Sequence, residues 1–154
     1  MAERILIVED DPATREGLAL LLQTLGYRVT AAPDGPTALA ALRREPPDVM
    51  LLDLILPGDM SGIQLLQTAR EESPQVGAIV MTGFPSAETT VEALRLGAFD
   101  YLTKPFDLGR MSSLLTQLVA RQRQERRSAD TLRQLETISR CNRIGIYSVD
   151  LAGL

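Results

Sequence analysis

A doubly wound α/β fold, with a parallel sheet covered by helices on both faces, is what the sequence predicts. Three observations predict it. Short apolar runs of strand length recur five times before residue 106. Segments with apolar residues at helical spacing lie between them, and Gly or Pro punctuates the junctions. Strand and helix therefore alternate, and strict alternation builds a parallel sheet because each right-handed crossover lays its helix on one face.

The first strand is Ile5 to Val8, and the helix after it carries Leu18, Leu21, Leu22 and Leu25 at i, i+3, i+4 and i+7. Gly26 is its expected stop. Arg28 to Ala32 is the second strand, and Ala38, Leu39 and Leu42 mark the second helix before Pro46-Pro47. Val49 to Leu54 is the third strand, followed by a helix with Leu65, Leu66 and Ala69 that ends before Ser73-Pro74. Val76 to Met81 is the fourth, and Val91 and Leu94 mark its helix before Gly97. Phe99 to Thr103 is the fifth. Four of these strands are rich in Val, Ile, Leu or Met without alternation, as expected when both faces are covered. The last helix starts near Asp107, an N-cap residue, and carries Met111, Leu114, Leu115, Leu118 and Val119 on one face. No Pro or Gly lies between Arg121 and Arg140, and Leu132, Leu135 and Ile138 resume an apolar spacing. This helix is therefore expected to extend beyond the sheet domain.

The chain has 154 residues, the usual size of one domain, with 45% hydrophobic and 23% charged residues, ordinary for a globular protein. Residues 1–106 hold fifteen acids and eight bases, whereas 107–154 hold five acids and eight bases. That split, with the helical pattern, divides the chain into a domain over 1–120, a helical linker over 121–140 and a tail over 141–154. The net charge of −4 argues against nucleic-acid binding by this chain. The stretch Arg121 to Arg127 is either a basic patch or a solvated helix face, and the lack of interleaved aromatics favours the face. No apolar run approaches the roughly 18 to 20 residues that cross a bilayer, and the N-terminus has no signal-peptide architecture, so a cytoplasmic protein is expected.

Absences narrow the chemistry. The chain has no His, so it carries no Ser-His-Asp or Cys-His pair, no His-bearing zinc site and no phosphohistidine of its own. Cys141 is the single cysteine, which excludes an internal disulfide, and it reads as a small packing residue. Fifteen of the sixteen basic residues are Arg, and the one lysine is Lys104.

Ligands of open parallel sheets bind beyond the carboxyl ends of the strands. Here those ends carry Glu9-Asp10-Asp11, Asp53, Thr82 and Lys104. Each has a local explanation: Asp11 before Pro12 suits a helix start, Asp53 a turn, Thr82 a cap for the next helix, and Lys104 an ordinary surface lysine. Together they form a constellation with a shared purpose. Carboxylates from two strand ends make a hard-oxygen cluster suited to Mg²⁺, and without a cation they would repel one another. A compact ammonium and a hydroxyl beside them suit a phosphoryl group.

The runs Ile5-Leu-Ile-Val-Glu-Asp-Asp11, Leu51-Leu-Asp-Leu-Ile-Leu-Pro57, Val80-Met-Thr-Gly83 and Gly97-Ala-Phe-Asp-Tyr-Leu-Thr-Lys-Pro-Phe106 closely resemble the receiver domain of two-component response regulators. The resemblance covers residues 4 to about 120. It implies a flavodoxin-like (βα)5 fold with strand order 2-1-3-4-5. It also implies that Asp53 is the phosphoacceptor, that Asp10 binds Mg²⁺ directly with Glu9 assisting through water, and that the backbone carbonyl of Ile55 is a further ligand. Thr82 and Lys104 would engage the phosphoryl oxygens, and Tyr101 would turn inward as the site closes. A partner histidine kinase or phosphotransfer protein would supply the phosphoryl group, so the chain would be a phosphoacceptor signalling domain rather than an enzyme. Self-association through the receiver face or the long C-terminal helix is the homodimer such a chain admits. One departure stands out: the family's loop glycine usually lies eight residues after the phosphoacceptor, whereas Gly62 lies nine after Asp53.

Ile144 to Gly153 resembles the opening strand and turn of a PAS sensor domain; without that resemblance it reads as a tail. Three other functions compete. An interaction-only degenerate receiver would lack the full set of Glu9, Asp10, Asp53, Thr82 and Lys104. A Mg²⁺-dependent phosphohydrolase commonly places a second acid two residues after its Asp nucleophile, where this chain has Ile55. A flavodoxin-type electron carrier needs a phosphate-cradling loop after the first strand and an aromatic pair around a flavin, and neither is evident.

Overall fold

A computed structural model describes residues 2–83 and 86–145. Its elements run β1 (Arg4–Val8), α1 (Pro12–Thr24), β2 (Arg28–Ala32), α2 (Gly35–Arg44), β3 (Val49–Asp53), α3 (Gly62–Glu72), β4 (Gly77–Thr82), α4 (Ala87–Arg95), β5 (Asp100–Thr103) and α5 (Leu108–Gly145). The five strands form one parallel sheet in the order β2-β1-β3-β4-β5. The expected alternation and order are both present; β2 has the expected limits, and the other strands differ by no more than one residue at either end.

Period-two alternation within the central strands sorts the core into two layers. Ile5, Ile7, Val49, Leu51, Ile79 and Met81 pack with Leu18 and Leu22 of α1 and with Leu114, Leu115 and Leu118 of α5. Leu6, Val8, Met50, Leu52 and Val80 pack on the other side with Leu39 and Leu42 of α2 and Leu65 and Leu66 of α3. Apolar residues at consecutive positions are thus required, because successive side chains enter different layers. The edge strand β2 is mostly exposed and correspondingly less apolar.

Four helices start on capping side chains. Asp11, Asp34, Ser61 and Ser86 each accept a hydrogen bond from the amide three residues on. This settles Asp11 as the N-cap of α1, and it removes Thr82 from the capping role considered for α4. Asp107 accepts from the amide of Arg110 at 3.2 Å, as expected for the start of α5.

One stripe runs against expectation. Val91 and Leu94 are 44% and 42% exposed, whereas Ala93 of the same helix is fully buried. The helical spacing was legible, but the face turned to the sheet is the small one. Leu25 is likewise exposed, at the C-cap of α1.

The fold divides after Val119. Beyond it, the described part of the chain is the continuation of α5 to Gly145. The expected PAS opening lies outside the described residues from position 146 onward, as does the side chain of Cys141. Among the described residues, no helix is long and apolar enough to cross a membrane.

Candidate functional site

The carboxyl ends of β1, β3, β4 and β5 meet at one edge of the sheet. Strand order is the cause: β3 lies between β1 and β4, so the end of the first strand and the end of the third are neighbours despite the helices between them in sequence. Asp53 is the last residue of β3 and is buried, and Glu9, one residue past β1, is fully buried. Asp10 is exposed. Carboxylate oxygens of Glu9, Asp10 and Asp53 lie within 4.8 Å of one another.

Lys104 follows β5 and reaches across this cluster. Its Nζ donates to Asp53 Oδ2 at 2.6 Å and to Glu9 Oε1, and its side chain is only partly exposed. The backbone amide of Lys104 also donates to the carbonyl of Thr82 at 2.8 Å, which ties the strand end carrying the lysine to that carrying the threonine. Lys104 is therefore no ordinary surface lysine.

Electrostatics follow from this crowding. Burial is the largest influence on Glu9 and pushes its carboxyl above the usual range; the hydrogen bond from Lys104 opposes the rise, and the Asp53 charge adds to it. Burial by itself would lower Lys104, but its hydrogen bonds to Asp53 and Glu9 outweigh that and hold it above the ordinary lysine value. The ammonium thus stays charged and neutralises part of the carboxylate repulsion.

The remaining expected residues occupy consistent places. Thr82 ends β4, is buried, and stands one residue beyond Met81, the register partner of Asp53. Tyr101 lies on β5 opposite Val80, half-buried against the α2–α3 layer of the core. Ile55 is exposed, and its amide donates to Asp53 Oδ1 at 2.9 Å, so the turn considered for Asp53 exists alongside its place in the cluster.

Gly62 resolves the spacing departure. A Cβ on it would stand 2.3 Å from the Asp53 carbonyl oxygen and 2.5 Å from Leu54 Cα, and its amide donates to the Leu54 carbonyl at 3.1 Å. Close backbone approach demands a glycine there whatever the count. The loop holds a left-handed residue at Gly58 (φ +86°), and Met60 packs on Gly35 at the start of α2.

Sequence reasoning passes over Arg15. Its Nη1 donates to the backbone carbonyls of Glu9 at 2.9 Å and Asp10 at 3.2 Å. The signal available beforehand was a basic residue one helical turn past an acidic loop.

Three hard oxygen donors, two buried and one facing solvent, fit a small divalent cation that keeps several waters. An ammonium and a hydroxyl at the same edge leave the arrangement suited to a tetrahedral anion beside that cation.

A family model described as the response regulator receiver domain matches residues 5–116. The chain is 38% identical over 117 residues to the probable transcriptional regulatory protein TcrX of Mycobacterium tuberculosis, covering 76% of this chain and 50% of that protein. It is 40% identical over 113 residues to the response regulator protein PilR of Pseudomonas aeruginosa, covering 73% of this chain and 25% of that one. The chain thus spans half or less of the length of these relatives. Among solved structures, a CheY-like receiver domain protein from Methanospirillum hungatei superposes with a TM-score of 0.78 at 33% identity, over 81% of this chain and 99% of that one. NtrX from Brucella abortus gives 0.80 at 30% identity, over 85% and 30%.

Proposed function

The chain belongs to the response regulator receiver family, and from that premise we propose that Asp53 is its phosphoacceptor in a Mg²⁺-dependent transfer. A histidine kinase or phosphotransfer protein is the proposed donor, since the chain has no His of its own. The observation that carries the reading is the bridge from Lys104 to both Asp53 and Glu9, which gathers groups from three strand ends around one carboxylate.

In this reading an Asp53 carboxylate oxygen forms the new bond to phosphorus as the bond from phosphorus to the donor's leaving atom breaks. Asp10 and Asp53, the carbonyl of Ile55, and Glu9 through water would hold Mg²⁺, which when bound neutralises charge on the phosphoryl oxygens. Lys104 supplies a further fixed positive charge at the same edge. The Thr82 hydroxyl then donates to a phosphoryl oxygen. Added negative charge gives Lys104 and Thr82 a new partner and biases a two-state element in which Tyr101 turns inward. The chain would catalyse only its own phosphotransfer and slow dephosphorylation, work in the cytoplasm, and signal through a changed outer face of β4, α4, β5 and the start of α5. Residues 1–120 would be the receiver and 121–140 a helical connector, with 141–154 a tail or the start of a PAS domain. A homodimer would form through the receiver face or the long helix.

The test is treatment with acetyl phosphate or beryllofluoride and Mg²⁺, read by intact mass or amide chemical shift, on wild type and Asp53→Ala. An added phosphoryl mass and a shift that both vanish in Asp53→Ala are expected. A response that persists without Asp53, or none in wild type, sinks the reading.

A further inference from the structure

Arg15 is a part-buried cation that the proposed transfer does not use. It lies on α1, four residues past the N-cap Asp11, and reaches back to the carbonyls of Glu9 and Asp10. Those two residues carry two of the three clustered carboxylates. An Arg Nη1 bears two N–H groups, so one planar nitrogen can serve both carbonyls and bridge the helix to the acidic loop. The same loop is held elsewhere by the Glu9 amide on the Ala32 carbonyl at 3.0 Å, and by the Asp11 amide on Glu9 Oε2 at 3.4 Å.

Two effects of opposite sign follow. As a charge, Arg15 beside the carboxylates repels an incoming cation. As a clamp, it fixes the backbone from which Glu9 and Asp10 project and so lowers the cost of ordering them around a metal. We propose that the clamp outweighs the charge, making Arg15 a positioning residue that raises the divalent-cation affinity of the Glu9–Asp10–Asp53 cluster. The repulsive arm is the weaker one because the guanidinium is partly exposed, where water's high dielectric reduces its field, and its hydrogen bonds go to carbonyl oxygens rather than to the carboxylates. The direct hydrogen bonds from the Arg15 guanidinium to the loop carbonyls are short-range and lose less to solvent. This inference rests on reading the cluster as a Mg²⁺ site.

Titration with magnesium chloride tests it, followed by calorimetry and by amide shifts of residues 9–11, on wild type, Arg15→Gln and Arg15→Lys. Loss of such a supporting partner is expected to weaken Mg²⁺ binding about ten-fold in Arg15→Gln, with the loss persisting as salt is raised. Arg15→Lys keeps the charge, but its stem ends one bond short, so it recovers only part of the affinity. Unchanged or tighter binding in Arg15→Gln overturns the inference, as does full wild-type affinity in Arg15→Lys. If Arg15→Gln does not fold, Arg15→Lys decides alone on the same criterion. A wild type that binds no Mg²⁺ overturns the site reading itself; one that binds it with Arg15→Gln indifferent overturns only the clamp.

Discussion

Lys104 is the lone lysine among fifteen arginines, and its place explains why an ammonium stands there. Its Nζ sits between two carboxylates from different strands, a crowded position that a compact point charge fills better than a broad guanidinium fork. Lys104→Arg keeps the charge and changes the shape. We expect phosphorylation to survive in this variant, read by intact mass, while beryllofluoride-induced shifts along α4 and β5 shrink; wild-type shifts would count against the idea. A second expectation concerns Ile55. It is 59% exposed two residues past Asp53, a large apolar group beside a site that water must approach for hydrolysis. Slow self-dephosphorylation follows, and Ile55→Asn should shorten the phosphoryl lifetime severalfold in a phosphate-release assay. A wild-type half-life of seconds, unaffected by this change, would rule that out. Phe84, an apolar residue two positions past Thr82, is expected from sequence to flank the same water approach, and it lies outside the described residues.

Helix starts are the best-specified elements, because capping is local chemistry that sequence can display. Asp34 shows the consequence for acid stability. Hydrogen bonds from the Thr37 side chain and amide hold its carboxyl below the ordinary 3.8. A carboxyl depressed in the folded state contributes stability that is fully present above its unfolded value and lost as pH falls through the lower folded one. Urea unfolding followed below pH 4 should therefore show a larger loss in wild type than in Asp34→Asn, which retains a cap acceptor but cannot titrate; identical profiles would refute it. Gly62 is the opposite case, an element boundary whose demand comes from tertiary contact. Gly62→Ala should cost about 1–3 kcal/mol by overpacking against the end of β3, measured by urea unfolding. A neutral effect would mean that the loop from Pro57 to Ser61 gives way freely. The exposed pair Val91 and Leu94 shows where periodicity misleads: helical spacing reveals a helix, whereas the buried face of α4 is set by how closely that helix approaches the sheet.

Across the whole molecule, stability rests on strands buried from both sides. Leu51, fully buried in β3, packs in the α1–α5 layer, and Leu51→Ala should cost about 2–5 kcal/mol of unfolding free energy through the cavity it leaves. An exposed hydrophobic-to-polar change such as Leu20→Gln should be nearly neutral in the same measurement, and equal costs would contradict the two-layer core. The continuation of α5 to Gly145 makes oligomeric state a matter for light scattering with and without beryllofluoride. Fold class was legible because apolar runs, helical spacing and punctuation are properties of neighbouring residues, and the parallel sheet follows from their alternation. The candidate site residues Glu9, Asp10, Asp53, Thr82 and Lys104 were legible as polar strand ends and through the receiver resemblance. What residue spacing alone leaves open is which strand ends are neighbours. Lys104 lies 95 residues from Glu9 and 51 from Asp53, and only the order β2-β1-β3-β4-β5 brings the three together. The same holds for Gly62 against the Asp53 backbone and for the turn of α4's small face toward the sheet. Even the nearby bridge from Arg15 depends on its side chain turning back from the first turn of α1 to the carbonyls before the helix. Local periodicity determines which elements form; the order of the strands, fixed when the sheet is covered on both faces, decides which charges meet at its carboxyl edge.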